Sequence, residues 1–131
     1  MRNTSIDNLA DAIMQELENY SEGVTEGVKK AVDTVGKEVN KEIKKNVTFN
    51  EPTGKYVKAF RVKKAFEGRF NKGKTWHVGG GQYRLTHLLE KGHAKRGGGR
   101  TRAFPHIKFG EELAKKRMEE LAKEAVENAG N

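Results

Sequence analysis

Apolar residues recur along the first third of the chain at Ile6, Leu9, Ile13, Leu17, Tyr20, Val24, Val28, Ala31, Val35, Val39 and Ile43. The steps are all three or four, which is one stripe on a single helical face. Thr4 or Ser5 can cap its start, and the back face is charged, with Glu26–Lys30 at i,i+4 spacing. A straight helix of forty residues spans ~60 Å. A compact chain of this size has a radius of gyration of ~14 Å. The helix therefore has to break, bend or project. Gly23, Gly27 and Gly36 are its weak points, and a bend or short break near residues 21–27 is the expectation. The alternative is a straight helix that overhangs its own domain and packs on a neighbouring subunit.

The pattern then changes. Asn50, Pro52 and Gly54 supply turn residues. Residues 56–67 alternate in part, which fits either a strand or a short helix followed by a strand. Residues 68–73 read as a hairpin turn and Thr75–Val78 as a strand. Residues 83–91 read as a short helix or strand–helix junction, stopped by Gly92. The helical period returns from Gly110, with Leu113, Ala114, Met118, Leu121, Ala122, Ala125 and Val126 on one stripe and Gly130 as a stop. The expected fold is α+β: a long N-terminal helix, a small antiparallel sheet, a short helix with a basic loop, and a C-terminal helix packed on the sheet. It is one domain over residues 1–131, with a helical region at 1–45, a β-rich core at 46–108 and the last helix at 109–131.

Composition changes this picture in two ways. There is no cysteine, so disulfides and thiolate zinc sites are excluded, which fits a reducing cytoplasm. No signal pattern or apolar run of ~18 residues is present, so neither export nor membrane spanning is expected. The net charge of +8 is also unevenly placed. Residues 1–54 carry 7 Lys/Arg and 10 Asp/Glu, residues 55–108 carry 15 and 2, and residues 109–131 carry 4 and 6. A basic centre attracts nucleic acid or an acidic protein face, although a solvated lysine surface has the same composition.

Candidate chemistry is thin. Gly68 to Thr75 matches the letters G-x-x-x-x-G-K-[ST] of a phosphate loop, but the residues after it do not make the helix that such a loop needs. His87, Glu90 and His93 look like a metal box without either of the usual zinc-protease spacings. They read better as polar framework, and no cofactor is implied. The segment Lys95-Arg96-Gly97-Gly98-Gly99-Arg100-Thr101-Arg102 is the best binding candidate, since arginines bridge to phosphate or carboxylate. Lys91 and His93 lead into it. Leu85, Leu88 and Leu89 anchor this segment, and a mobile loop at 91–102 is expected beyond them.

The stretch from Tyr83 to Arg96, then Gly98-Gly99-Arg100, then Pro105-His106-Ile107, resembles the gene-product-ten-like family of tailed-phage proteins. Thr53-Gly54-Lys55-Tyr56 followed by Phe60-Arg61-Val62 is similar to that family's segment after its first helix, so the likeness covers nearly the whole chain. Its core is Leu85, Thr86, His87, Leu88, Leu89, Glu90, Gly92 and His93, with Pro105 and His106 downstream. Gly97 stands where the family pattern has Asn, which leaves the loop's conformation open. The resemblance implies a non-catalytic virion protein at the head–tail junction. It implies a homo-oligomeric ring docked to portal or head-completion adaptor and tail-terminator proteins. Contact candidates are then Lys91, His93, Lys95, Arg96, Arg100 and Arg102, facing protein or genomic DNA. The competing reading is a small basic nucleic-acid-binding module, and the remaining one is a nucleotide- or metal-dependent enzyme.

Overall fold

A computed structural model describes residues 6–49 and 53–129. The expected cap at Thr4 or Ser5, the turn residues Asn50 to Pro52 and the stop at Gly130 lie outside the described residues. Helix α1 runs Ile6–Lys45, α2 is the single turn Lys55–Lys58, and strands β1 Phe60–Glu67 and β2 Lys72–Val78 follow. A 3-10 turn over Gly80–Leu85 leads into α3, Thr86–Lys91, and α4 runs Ile107–Ala129. The protein is α+β, with a long N-terminal helix, a two-stranded antiparallel sheet and a C-terminal helix. Of the two readings of residues 56–67, the structure takes the short helix followed by a strand.

The expected break near residues 21–27 does not occur: α1 is one continuous helix of 40 residues. The reason lies in what crosses it. α4 packs along α1 so closely that a Cβ added at Gly27 would lie 2.7 Å from Ala125 Cβ, and one at Gly23 would lie 3.2 Å from Ala129 Cβ. These glycines are points of close helix approach. Farther along, Gly110 of α4 returns the contact, since its Cβ would fall 2.6 Å from Ile43 Cγ1. Arg117 of α4 ties the pair across the top, donating to both carboxylate oxygens of Glu38 at 2.9 and 3.1 Å. Such a bidentate pair fixes rotation as well as distance.

The sheet lies against the same half of α1. Phe60 faces Val78 and Val62 faces Trp76 across the ladder, so their shared face is apolar. A register shift at Ala65 ends this regularity near the turn. Asp33 of α1 accepts from Lys72 and Lys74 of β2 at 2.8 and 2.9 Å, and Trp76 Nε1 donates to Asn40 at 3.1 Å. Lys29 reaches the turn itself, donating to the Gly68 carbonyl at 2.6 Å. Thus α1 is the spine, with α4 and the sheet on it. Between them runs an apolar groove of about 380 Å³, lined in part by Val39, Val62, Trp76, Gly110 and Met118. The core sits at the C-terminal end of α1, where Ile43, Tyr56, Phe60 and Val78 are buried together.

Candidate functional site

Beside this core the chain assembles a buried polar junction from three distant segments. Tyr56 comes from α2, Glu90 from α3, and His106 from the residue before α4. The His106 side chain is 0% exposed and Tyr56 only 1%. His106 Nδ1 lies 2.9 Å from the Phe104 carbonyl and 3.0 Å from Glu90 Oε1. Both of those oxygens accept, so Nδ1 carries the proton. In the neutral ring Nε2 is then the acceptor, and it takes the Tyr56 hydroxyl at 2.7 Å. The rings of Phe49, Tyr56 and Phe60 surround the imidazole, with centroids 5.6, 5.5 and 6.5 Å away.

Glu90 has a second task. Its Oε1 accepts the backbone N–H groups of His106 and Ile107 at 2.9 and 3.1 Å, and its Oε2 accepts that of Lys108 at 3.1 Å. These are N–H groups that the first turn of a helix leaves without intrahelical partners. A carboxylate from sixteen residues upstream therefore caps α4, where the helix dipole also favours negative charge. Burial opposes the ionised form of Glu90, but the three backbone N–H groups, helped by His106, outweigh it and hold the carboxyl below its usual range. The hydrogen bonds of this junction thus join α2, α3 and the start of α4.

The junction fixes the basic segment. Gly92 ends α3 at φ 69°, and a Cβ there would meet the Thr101 carbonyl at 2.5 Å, so only glycine fits. From there the chain forms a small hairpin. Ala94 pairs with Arg100, Thr101 N donates to the His93 carbonyl at 2.8 Å, and Lys95 N donates to the Gly99 carbonyl at 2.9 Å. Gly98 and Gly99 take φ of 100° and 77°, which closes the turn. Gly97, where the family pattern has Asn, therefore sits in a defined turn.

The predicted site residues separate into three groups. Glu90 and His106 meet in the buried junction, Leu89 packs against the core, and Pro105 leads into α4. Lys91, His93, Lys95 and Arg96 are exposed on and before the hairpin. Arg100 and Arg102 are partly spoken for: Arg100 donates to the Gly92 carbonyl at 3.3 Å, and the Arg102 guanidinium lies 5.4 Å from the Phe104 ring centre. Leu85 and Leu88 are 42% and 44% exposed and lie outside the buried core cluster of the described residues. His87 is exposed as well. Glu90 turns to the α4 amides instead of joining the neighbouring histidines. Among the described residues no group of three His, Asp or Glu is placed to hold a metal ion. The phosphate-loop letters lie on the β1–β2 turn and run into a strand. Tyr56 was not singled out as a site residue, although it ends the Thr53–Tyr56 segment that carries part of the resemblance.

Fold and junction together define a small α+β packing domain, with its buried polar groups spent on joining elements. The chain belongs to the family described as "Bacteriophage HK97-gp10, putative tail-component", whose model matches residues 11–95. It is therefore a phage structural protein of the tail-component class. Searches of curated proteins and of solved structures gave no match. No helix among the described residues is long and apolar enough to cross a membrane.

Proposed function

We propose that this protein acts at the phage head–tail junction, where copies form a ring and dock to portal or adaptor proteins on one side and tail-terminator proteins on the other. The basic segment at 91–102, which contains the hairpin, is the docking element, facing an acidic protein surface or the DNA that passes through the ring. The observation that carries this reading is a pair of adjacent exposed cations on a hydrogen-bonded turn, unlike three lysines of the sheet. Lys72 and Lys74 share Asp33, and Lys64 pairs with Glu67. Lys95 and Arg96 lie exposed with no carboxylate in salt-bridge range among the described residues, on a turn held by a buried junction. A cationic tip already folded by backbone hydrogen bonds has less conformational entropy to lose on docking than an open loop.

The test is Lys95→Glu combined with Arg96→Glu. These exposed side chains hold up nothing, so thermal melting should stay within a few degrees of wild type. Head–tail joining in a complementation assay should fail. Normal joining by the double variant removes the hairpin from the docking surface. Absence of the protein from purified virions overturns the junction reading itself.

A further inference from the structure

The N-terminal half of α1 presents an apolar stripe that its own chain leaves open. Leu9, Ile13, Leu17 and Tyr20 are 40–57% exposed, and every residue from 9 to 23 is classed as exposed. Residues 9–22 contain four acids, Asp11, Glu16, Glu18 and Glu22, and no lysine or arginine. At the opposite end of the molecule lies a second exposed apolar patch of Tyr83, Leu85 and Leu88, the last two at i,i+3 spacing on one strip. It is flanked by exposed Arg84 and Lys91, which have no carboxylate in salt-bridge range among the described residues.

We propose that the overhanging half of α1 docks on the Tyr83–Leu88 patch of a second copy of this chain. Four observations select that occupant. The two surfaces match in kind: an apolar stripe on an acidic segment and an apolar patch on a basic one. They do not meet within one chain. α1 is one continuous helix, and Leu17 stands ~39 Å along it from Ile43, a member of the core cluster against which Leu89 of α3 packs. Pairing of two overhangs is disfavoured because it juxtaposes eight acids without a base. The apolar groove between the sheet and α4 is a poorer acceptor, since its lysine, Lys74, is already held by Asp33 at 2.9 Å. The resulting contact is heterologous, joining the tail of one copy to the head of the next. Such contacts close into rings when the rotation permits and otherwise grow as filaments. The inference deepens the assembly reading by giving the ring its subunit contact.

Because the chain has no cysteine, introduced thiols report the contact directly. The full-length protein carrying Leu17→Cys together with Leu88→Cys should give a ladder of disulfide-linked multimers on mild oxidation. An equimolar mixture of the two single variants should stop at the dimer, since each molecule then offers one thiol. Adding Arg84→Glu and Lys91→Glu to the double-cysteine chain should reduce the ladder at least tenfold. Circular dichroism checks that each variant keeps its helices. Dimers of Leu17→Cys alone would place overhang on overhang and overturn the proposal. The same holds for a double-cysteine chain that stays monomeric. Either failure with the protein still present in virions leaves the junction reading standing. Its absence from virions removes that reading whatever the ladder shows.

Discussion

The two halves of α1 carry the same stripe and meet opposite fates. Ile13 and Ile43 belong to one series of three- and four-residue steps, thirty residues apart, yet Ile13 is 51% exposed and Ile43 only 1%. Periodicity alone does not separate them. The difference comes from what is small nearby. On the C-terminal half, Gly27 and Gly36 of α1 and Gly110 of α4 remove the side chains that would hold α4 and the sheet away. Ala31 and Val35 are buried as a result. Before Gly23 the stripe is made of larger residues, and no element of the described chain lies on it. A hydrophobic stripe thus declares that a face will be covered, while the glycines declare which part its own chain covers.

The sharpest way to break this comparison is the same substitution at both ends. Ile43→Ala should cost about 3 kcal/mol, because it removes a buried side chain and leaves a cavity beside Tyr56 and Phe60. Ile13→Ala should change the stability of the isolated monomer by less than about 0.5 kcal/mol. Urea unfolding of the two variants at low protein concentration measures both. Equal losses would mean that the overhang is covered within the monomer.

A smaller effect tests the glycines. Helix propensity alone predicts that Gly110→Ala stabilises by about 1 kcal/mol. The new methyl, however, would sit 2.6 and 2.7 Å from two carbons of the fully buried Ile43. Overpacking of that kind costs roughly 1–3 kcal/mol, so the net change should be a loss of about 1 kcal/mol. Ser21→Ala, on the exposed half, should show the propensity gain alone, a few tenths of a kcal/mol. A stabilised Gly110→Ala protein would show that α4 does not approach α1 as closely as the fold requires.

These tests also mark what the sequence discloses. The helical stripes, the hairpin over Gly68–Asn71 and the stop at Gly92 follow from period and turn chemistry, which act over a few residues. The continuity of α1 does not. Gly23 and Gly27 look like breaks until Ala125 and Ala129, a hundred residues away, are seen against them. The junction is hidden for the same reason. Tyr56 and His106 are fifty residues apart, and neither is unusual locally. Glu90 could be assigned a framework role from its surroundings, but not the amides that it caps. The hairpin at 93–101 was hidden by glycine itself, which suits a mobile loop and a tight turn equally.

The last test lies in that junction and is best read as a pH dependence. Glu90→Gln keeps the shape but replaces a carboxylate at the start of α4 with a neutral amide, and should cost about 1 kcal/mol at neutral pH, as the loss of a helix cap does. The folded protein holds the Glu90 pKa below its unfolded value. Its contribution is therefore fully present above the unfolded pKa, near 4.3. It is lost as pH falls through the lower folded value. Asp33 is lowered to about 2 by hydrogen bonds from Lys72 and Lys74, and Glu38 and Glu67 are lowered by bonds from Arg117 and Lys29. All four carboxylates make the wild type lose stability in acid. The Gln variant should start lower at neutral pH and fall less steeply below about pH 4.5, the two proteins converging as Glu90 protonates. Melting curves of both proteins from neutral to acid pH measure the gap between them. A gap that stays constant to pH 2 would show that the Glu90 charge does not cap α4, leaving only its packing to explain the loss.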